Sequence, residues 1–138
     1  MSSWREIGRS IGLLLLRVMG GAGIAMHGYQ KLFGGNIDQF AKMAVEPLGF
    51  PVPLVFAYMA GLAEFLGGIF IAVGLLTRLA SIPLLFTMCV AVFMVHVKNG
   101  DPVARMEPAL VYLTVAATLL LTGPGAISLD RIILGKKK

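Results

Sequence analysis

Ionisable residues recur along one face of the first apolar stretch of this chain. Arg17, Ile24 and Lys31 are seven residues apart, and Gly20 and His27 have the same spacing. Residues seven apart lie on the same face of a helix. Ionisable side chains within apolar spans usually face a partner or a cavity. The spacing therefore predicts that this face points into a helix bundle.

An acidic residue lies in the middle of the second apolar stretch. Glu64 is surrounded by glycines, which allow another helix to approach closely. Counted from Pro53, it lies about 16 Å deep at a rise of 1.5 Å per residue. A carboxylate at this depth is costly and marks a functional site. We expect Glu64 and His27 to form a proton relay, with Arg17 as the candidate counter-ion of Glu64.

Two more ionisable residues are expected at the same end of the bundle as His27. His96 lies near the end of the third apolar stretch, and Glu107 opens the fourth. Together these residues predict a polar cavity. Its expected ligand-binding residues are Arg17, His27, Lys31, Glu64, His96 and Glu107.

Several of these residues also have structural interpretations. Lys31 and Lys98 lie near span ends, where snorkelling to the interface is the favoured interpretation. Arg17 and Glu64 as an ion pair would fix the register of two helices. Cys89 is interpreted as a packing residue, because a lone buried thiol behaves as a small hydrophobe. One cysteine also excludes an internal disulfide framework.

The composition places these residues in a membrane protein. Of the 138 residues, 57% are hydrophobic and 14% are charged, and the mean hydropathy is +0.85. This is too apolar for a soluble domain of this length. Stretches long enough to span a bilayer lie at about 11–33, 53–76, 79–97 and 107–122. We predict a single all-α domain over 1–138, an integral membrane four-helix bundle with a basic amphipathic tail at 123–138.

The distribution of basic residues predicts an orientation. The net charge is +5, and much of it lies at the two ends of the chain and in the turn at Arg78. The positive-inside rule then places both termini in the cytoplasm. These charges are interpreted as topology signals and contacts with anionic lipids, not as a nucleic-acid site.

Motifs spread over nearly the whole chain resemble one family. They are Arg17, HGYQKLFG at 27–34, AEFLGGIFIAVGLLTR at 63–78, His96 with NGD, and GPGAISLD at 123–130. Together they resemble the DoxX family of small four-helix bacterial membrane proteins. The resemblance implies a multi-pass protein of the bacterial cytoplasmic membrane with a link to redox chemistry. Because one fold serves many functions, it does not settle the activity.

The first functional hypothesis is a redox-linked subunit that interacts with an isoprenoid quinone. A quinone needs an apolar slot and a proton donor or acceptor at each carbonyl. His27 or His96 would bind a carbonyl, and Glu64 or Glu107 would relay protons. The sequence has no flavin or iron–sulfur motif, so a partner oxidoreductase would supply the electrons.

Other hypotheses remain open. Haem held by His27 and His96, or a metal held by both histidines with Glu64 and Glu107, is weaker because no specific ligand motif surrounds these residues. A non-enzymatic protein would bind a lipid or small metabolite, or assemble with a periplasmic redox partner. A pure scaffold is the third class. The glycine faces would be consumed within one bundle or would also form a homo-oligomer.

Overall fold

The computed structural model describes residues 3–135 and contains four helices long and apolar enough to cross a membrane. In chain order, the helices are α1 (Trp4–Phe33), α2 (Ile37–Phe40), α3 (Pro53–Val73), α4 (Thr77–Cys89), α5 (Val103–Thr122) and α6 (Leu129–Leu134). A π-helical turn (Ala41–Val45) and a 3-10 turn (Glu46–Leu48) extend α2, and a π-helical segment (Val90–Val97) extends α4. The described residues form no β-strand. The predicted all-α membrane bundle is confirmed, whereas the cytoplasmic position of the termini stays a prediction.

Local signals set the ends of the long helices. α1 begins before the predicted start at residue 11, because Ser3 and Glu6 form a capping box. The Ser3 hydroxyl accepts the Glu6 N–H at 3.4 Å, and the Glu6 carboxylate accepts the Ser3 N–H at 3.2 Å. α3 ends at Gly74, whose positive φ of 74° favours glycine.

α1 packs most closely against α3, and glycines make this contact. A Cβ placed on Gly21 would lie 2.6 Å from the Gly68 carbonyl oxygen, and one on Gly68 would lie 2.6 Å from the Gly21 oxygen. Gly28 lies in the same way against Gly61 and the Phe65 backbone. Only glycine permits this approach of two backbones. The predicted glycine faces are therefore used between α1 and α3 of one chain.

The rest of the bundle is built around α3, α4 and α5. A cluster of buried apolar side chains forms the core here and includes Ile24, Ile71, Leu84, Ala116 and Leu119. Apolar residues also cover much of the exposed surface, as expected where helices face lipid.

The segment after α1 covers one end of the bundle. Ile37, Ala41 and Val45 are buried against Ala57 near the start of α3. We call this end, with α2 and the α4–α5 connection, the loop end. The opposite end, with the start of α1 and helix α6, is the tail end. α1 and the segment from α4 to Val97 run from the tail end to the loop end, and α3 and α5 run back.

Candidate functional site

A cavity of about 800 Å³ lies within the bundle toward the loop end. Its walls come from α1, α3, α4 with its π-helical segment, α5 and the α2 segment. Most of the lining is aliphatic or aromatic. The ionisable side chains in the lining, tyrosine aside, are His27, Lys31, Glu64, His96 and Arg105. The structure thus brings together four of the six residues predicted for a site, in a cavity more apolar than expected.

Glu64 is the most buried charged residue of this cavity. Its carboxylate is 1% exposed, and its Oε1 lies 2.5 Å from Nζ of Lys31, which is 26% exposed. The same ammonium lies over the Phe40 ring, 4.6 Å from its centre, in a cation–π contact. Lys31 is therefore the counter-ion of Glu64, and the favoured interpretation of Lys31 as a snorkelling residue is wrong.

The second carboxylate oxygen of Glu64 does not take part in the contact with Lys31. Oε2 is buried and has no hydrogen-bond partner within residues 3–135. A buried carboxylate oxygen without a partner costs free energy, and such groups are uncommon in native structures. An ionised carboxylate is an acceptor only, so Oε2 is complementary to a hydrogen-bond donor.

His27 lies where α1 approaches α5. Its ring meets Tyr112 edge to face, with centroids 5.5 Å apart and planes at 73°. Tyr112 packs against Gly23, where a side chain would collide with the phenol. His27 lines the cavity and is exposed, so its imidazole is accessible to a ligand and to the outside of the bundle.

His96 is held at the loop end by a carboxylate from the following turn. Its Nδ1 lies 2.8 Å from Asp101 Oδ2, and Arg105 donates to Asp101 Oδ1 at 3.2 Å. The hydrogen bond with His96, supported by Arg105, holds the pKa of the Asp101 carboxyl below its usual range. The Asp101 carboxylate thus orients two cavity-lining side chains, His96 and Arg105, from different helices. Such an outer partner fixes which imidazole nitrogen is free for a ligand.

Arg17 lies at the other end of the bundle, and the prediction that it is the counter-ion of Glu64 is wrong. Its guanidinium is 2% exposed and donates to three backbone oxygens. The acceptors are Ala72 at 3.4 Å, Pro124 at 2.6 Å and Ile127 at 2.7 Å. Arg17 ties the end of α3 to the segment after α5, and it is not part of the cavity lining.

Glu107 is exposed and lies outside the cavity lining. α5 presents Arg105, Ala109 and Tyr112 to the cavity instead. The four-residue metal set of two histidines and two glutamates is therefore not brought together. Cys89 is partly buried and also lies outside the lining, as expected of a packing residue.

The cavity reaches the outer surface of the bundle. Some of its lining residues are exposed, including Phe86 at 66%, Met59 at 57% and Ile82 at 52%. In a membrane-spanning bundle, apolar residues on the outer surface face lipid. A lipophilic molecule in the bilayer can therefore reach the cavity from the side. Its volume lies within the range of sites for small organic ligands.

Sequence reasoning missed Asp101, Arg105 and Tyr112. A signal for Asp101 was present, since it follows His96 by five residues across an Asn-Gly turn. Nothing in the spacing of Tyr112 distinguishes it from an ordinary core aromatic.

Comparison with known proteins gives consistent results. The DoxX family profile matches residues 12–97. "Putative oxidoreductase CatD" of Bacillus subtilis is 30% identical, over 93% of this chain and 91% of its own length. "Inner membrane protein YphA" of Escherichia coli is 33% identical, over 89% of this chain and 91% of its own length.

A third relative, "Uncharacterized membrane protein Rv3486" of Mycobacterium tuberculosis, is 30% identical over 94% of this chain and 87% of its own length. No solved structure gives a significant match. The family profile covers more than half of the chain, and the relatives cover nearly all of it. Four apolar helices and these similarities establish that this multi-pass membrane protein belongs to the DoxX family.

Proposed function

We propose that this protein is a redox-linked membrane subunit that binds an isoprenoid quinone or quinol in the loop-end cavity. The observation that carries the proposal is the Oε2 of Glu64, which has no partner among the described residues and lies beside an apolar cavity that opens to the lipid-facing surface. A quinone ring with its isoprenoid tail enters from the bilayer, so lateral access suits it. The name of the Bacillus subtilis relative supports a link to oxidoreduction.

The chemistry of Glu64 favours the reduced ligand. A quinol hydroxyl donates a hydrogen bond to a carboxylate, whereas a quinone carbonyl would be repelled by it. Donors for a quinone carbonyl are present at His27 and Arg105. The carboxylate therefore complements the quinol, and the imidazole and guanidinium complement the oxidised form.

The reaction interconverts quinone with quinol by transfer of two electrons and two protons. A partner oxidoreductase exchanges the electrons, and Glu64 with His27 exchanges the protons. Glu64 accepts a proton within the bundle, and the exposed His27 passes protons outward. Lys31 holds the Glu64 carboxylate in position through its contact with Oε1. His96, fixed by Asp101, binds the ring at the loop end.

We also propose that the protein lies in a bacterial cytoplasmic membrane with both termini inside the cell. The basic residues at the tail end support this orientation by the positive-inside rule. The cavity then lies in the outer half of the bilayer, where a periplasmic partner can dock. A reporter fused to the C-terminus that is active only in the cytoplasm tests the orientation, and activity of a periplasmic reporter there would contradict it.

The test of quinone binding is extraction of the purified, detergent-solubilised protein with organic solvent, followed by a quinone assay. We expect quinone in nearly equimolar amount with the wild type. The assay counts quinone and quinol together. Glu64→Gln keeps the size of the side chain and removes the carboxylate that accepts the quinol hydroxyl, so the total should fall well below the wild-type amount. Glu107→Gln is the matched control, because Glu107 is exposed and outside the cavity lining, and it should retain the quinone.

The controls separate folding from binding. Melting temperatures must show that all three proteins are folded before quinone contents are compared. Folded wild type without quinone, even after incubation with added quinone, would overturn the proposal. Quinone retained by Glu64→Gln would remove Glu64 from the binding site.

The second candidate function is a non-enzymatic membrane protein that binds a lipid or small metabolite, or assembles with a periplasmic redox enzyme. The lateral opening favours it, since any lipophilic molecule with a hydrogen-bond donor fits the same cavity. Absence of quinone together with another lipid in the extract, lost in Glu64→Gln, would select this function.

A further inference from the structure

A second recess, of about 1180 Å³, lies at the tail end, away from the proposed quinone site. It is bounded by the starts of α1 and α4, the end of α5 and the tail with α6. We call it the tail groove. Its walls combine arginines with apolar side chains, represented by Arg9, Arg78, Arg131, Ile7, Ile11 and Leu79.

The three arginines of the tail groove come from three different helices. Arg9 lies on α1, Arg78 on α4 and Arg131 on α6. The Arg78 Nη2–H donates a hydrogen bond to the Leu121 carbonyl oxygen at 3.2 Å. None of the ion pairs formed within residues 3–135 involves any of the three. Their charges are therefore available to an anionic ligand.

The two acids of the groove already serve as backbone acceptors. Asp130 accepts the N–H groups of Leu76 at 2.6 Å and Thr77 at 3.0 Å, at the start of α4. Glu6 accepts the N–H of Ser3 in the capping box. These carboxylates stabilise helix starts, where a negative charge is favourable. They leave the groove with one net positive charge, three arginines against two acids.

The position of Arg131 is fixed by the fold. The Asp130 N–H donates to the Gly74 carbonyl oxygen at 2.8 Å, and the Ser128 hydroxyl accepts the Arg131 N–H at 3.2 Å. These bonds hold α6 against the turn between α3 and α4. The groove is thus formed before any ligand binds, which lowers the entropy cost of binding.

We propose that the tail groove binds the phosphate headgroup of an anionic glycerophospholipid, such as phosphatidylglycerol. The groove lies where the spans end, at the level of lipid headgroups. Arginine forms strong, bidentate hydrogen bonds with phosphate. The exposed side chains of Ile7, Ile11 and Leu79 continue from the groove and contact the acyl chains. A choline headgroup would bring a cation against the arginines, so zwitterionic phosphatidylcholine fits less well.

The test measures the melting temperature of the delipidated, detergent-solubilised full-length protein after addition of defined compounds. Phosphatidylglycerol should raise the melting temperature of the wild type by at least twice the shift that phosphatidylcholine gives. The double variant Arg9→Gln/Arg131→Gln should lose at least half of the phosphatidylglycerol shift. Arg5→Gln is the matched control, since Arg5 is an exposed arginine one turn before Arg9 and outside the groove lining, and it should keep the full shift.

Three results would overturn the proposal. The first is an equal shift with phosphatidylglycerol and phosphatidylcholine in the wild type. The second is an unchanged phosphatidylglycerol shift in the double variant. The third is an equal shift with glycerol 1-phosphate at the same concentration, which would make the occupant a soluble phosphate and not a lipid. The quinone content has no bearing on these results.

Discussion

The two ends of this bundle each bury a charged side chain, and the two side chains differ in how their polar atoms are hydrogen-bonded. At the tail end, the three guanidinium nitrogens of Arg17 each donate a hydrogen bond to a backbone oxygen. At the loop end, Glu64 uses one oxygen for Lys31 and keeps the other unpartnered within the described chain, beside a cavity. A buried charge whose nitrogens all have backbone partners fixes one geometry, whereas a buried charge with an unpartnered oxygen favours a ligand. Burial alone therefore does not distinguish a functional charge from a structural one.

Replacing Arg17 is expected to have the largest effect. Arg17→Met removes the donor to three backbone carbonyl oxygens and releases the tail from α3. An acceptor left without its donor in the protein interior typically costs about 1–3 kcal/mol of folding free energy, and Arg17 serves three such acceptors. We expect a large fall in the melting temperature measured in detergent.

Arg5→Met is the control for this variant, because Arg5 is exposed on the first turn of α1. It should melt close to the wild type. An Arg17→Met protein that melts like Arg5→Met would show that the tail end does not depend on this charge.

The loop-end ion pair can be broken from one side or from both. Lys31→Met leaves the 1%-exposed Glu64 without its counter-ion, so we expect a loss of about 2–3 kcal/mol of folding free energy. Lys31→Met/Glu64→Gln removes the orphaned charge as well, and it should recover a large part of this loss. Equilibrium unfolding of both single variants and the double variant gives the coupling energy. Additive losses would mean that the two charges do not interact.

A smaller effect at the tail end concerns the fit around Arg17. A Cβ on Gly74 would lie 2.7 Å from the Ser128 Cβ and 2.8 Å from the Arg17 Cζ, at a φ of +74°. Gly35 has a similar φ of +78° in open space. Both alanine variants strain the backbone, but only Gly74→Ala also overpacks, which costs about 1–3 kcal/mol more. The difference between the melting temperatures of Gly74→Ala and Gly35→Ala measures the packing contribution. Equal values would show that the residues around Gly74 move apart without cost.

Much of the fold could be predicted from the sequence, because hydropathy and glycine patterns are local signals. The four apolar stretches gave the four membrane helices, and the burial of Glu64 followed from its depth in the second stretch. The glycine faces were recognisable, and Gly21 and Gly28 do pack against α3.

The partner of Glu64 could not be found from depth alone. Side chains on a helix tilt toward its N-terminus, and α1 and α3 run in opposite directions. Arg17 therefore points toward the tail end, away from Glu64. Glu64 points toward the loop end, and Lys31, nearer that end of α1, points back toward it. This tilt selects Lys31 over Arg17, and applying it to the sequence would have identified the pair.

The orientation of α5 was misjudged for a different reason. Polar residues of the fourth apolar stretch were expected to face inward, which placed Glu107 on the cavity side. The Thr114 hydroxyl instead donates to the Leu110 carbonyl oxygen of its own helix at 2.9 Å, so it needs no partner inside the bundle. Threonine in a membrane helix is thus weak evidence for a polar cavity.

The smallest effect is expected at the loop end, where Asp101 lies at the edge of the site. The hydrogen bond with His96 lowers the pKa of the Asp101 carboxyl in the folded protein. A carboxyl with a depressed folded pKa stabilises the fold above its unfolded pKa, and this stabilisation is lost as the pH falls through the folded value. We expect the wild-type melting temperature to fall below about pH 4, and Asp101→Asn to remove part of that fall.

The matched control for Asp101 is Asp38→Asn, since Asp38 is exposed and forms none of the ion pairs of residues 3–135. It should keep the wild-type dependence between pH 3 and 6, where carboxyl groups titrate. If the melting temperatures of Asp101→Asn and Asp38→Asn depended on pH in the same way, the hydrogen bond between Asp101 and His96 would not stabilise the fold. If only Asp101→Asn differs, and it also holds less quinone at neutral pH, the carboxylate positions His96 for the ligand. The loop end would then contain two acids with different roles: Glu64, which has an oxygen free for a ligand, and Asp101, which orients the His96 imidazole. At the tail end, by contrast, the hydrogen bonds of Arg17 stabilise the fold.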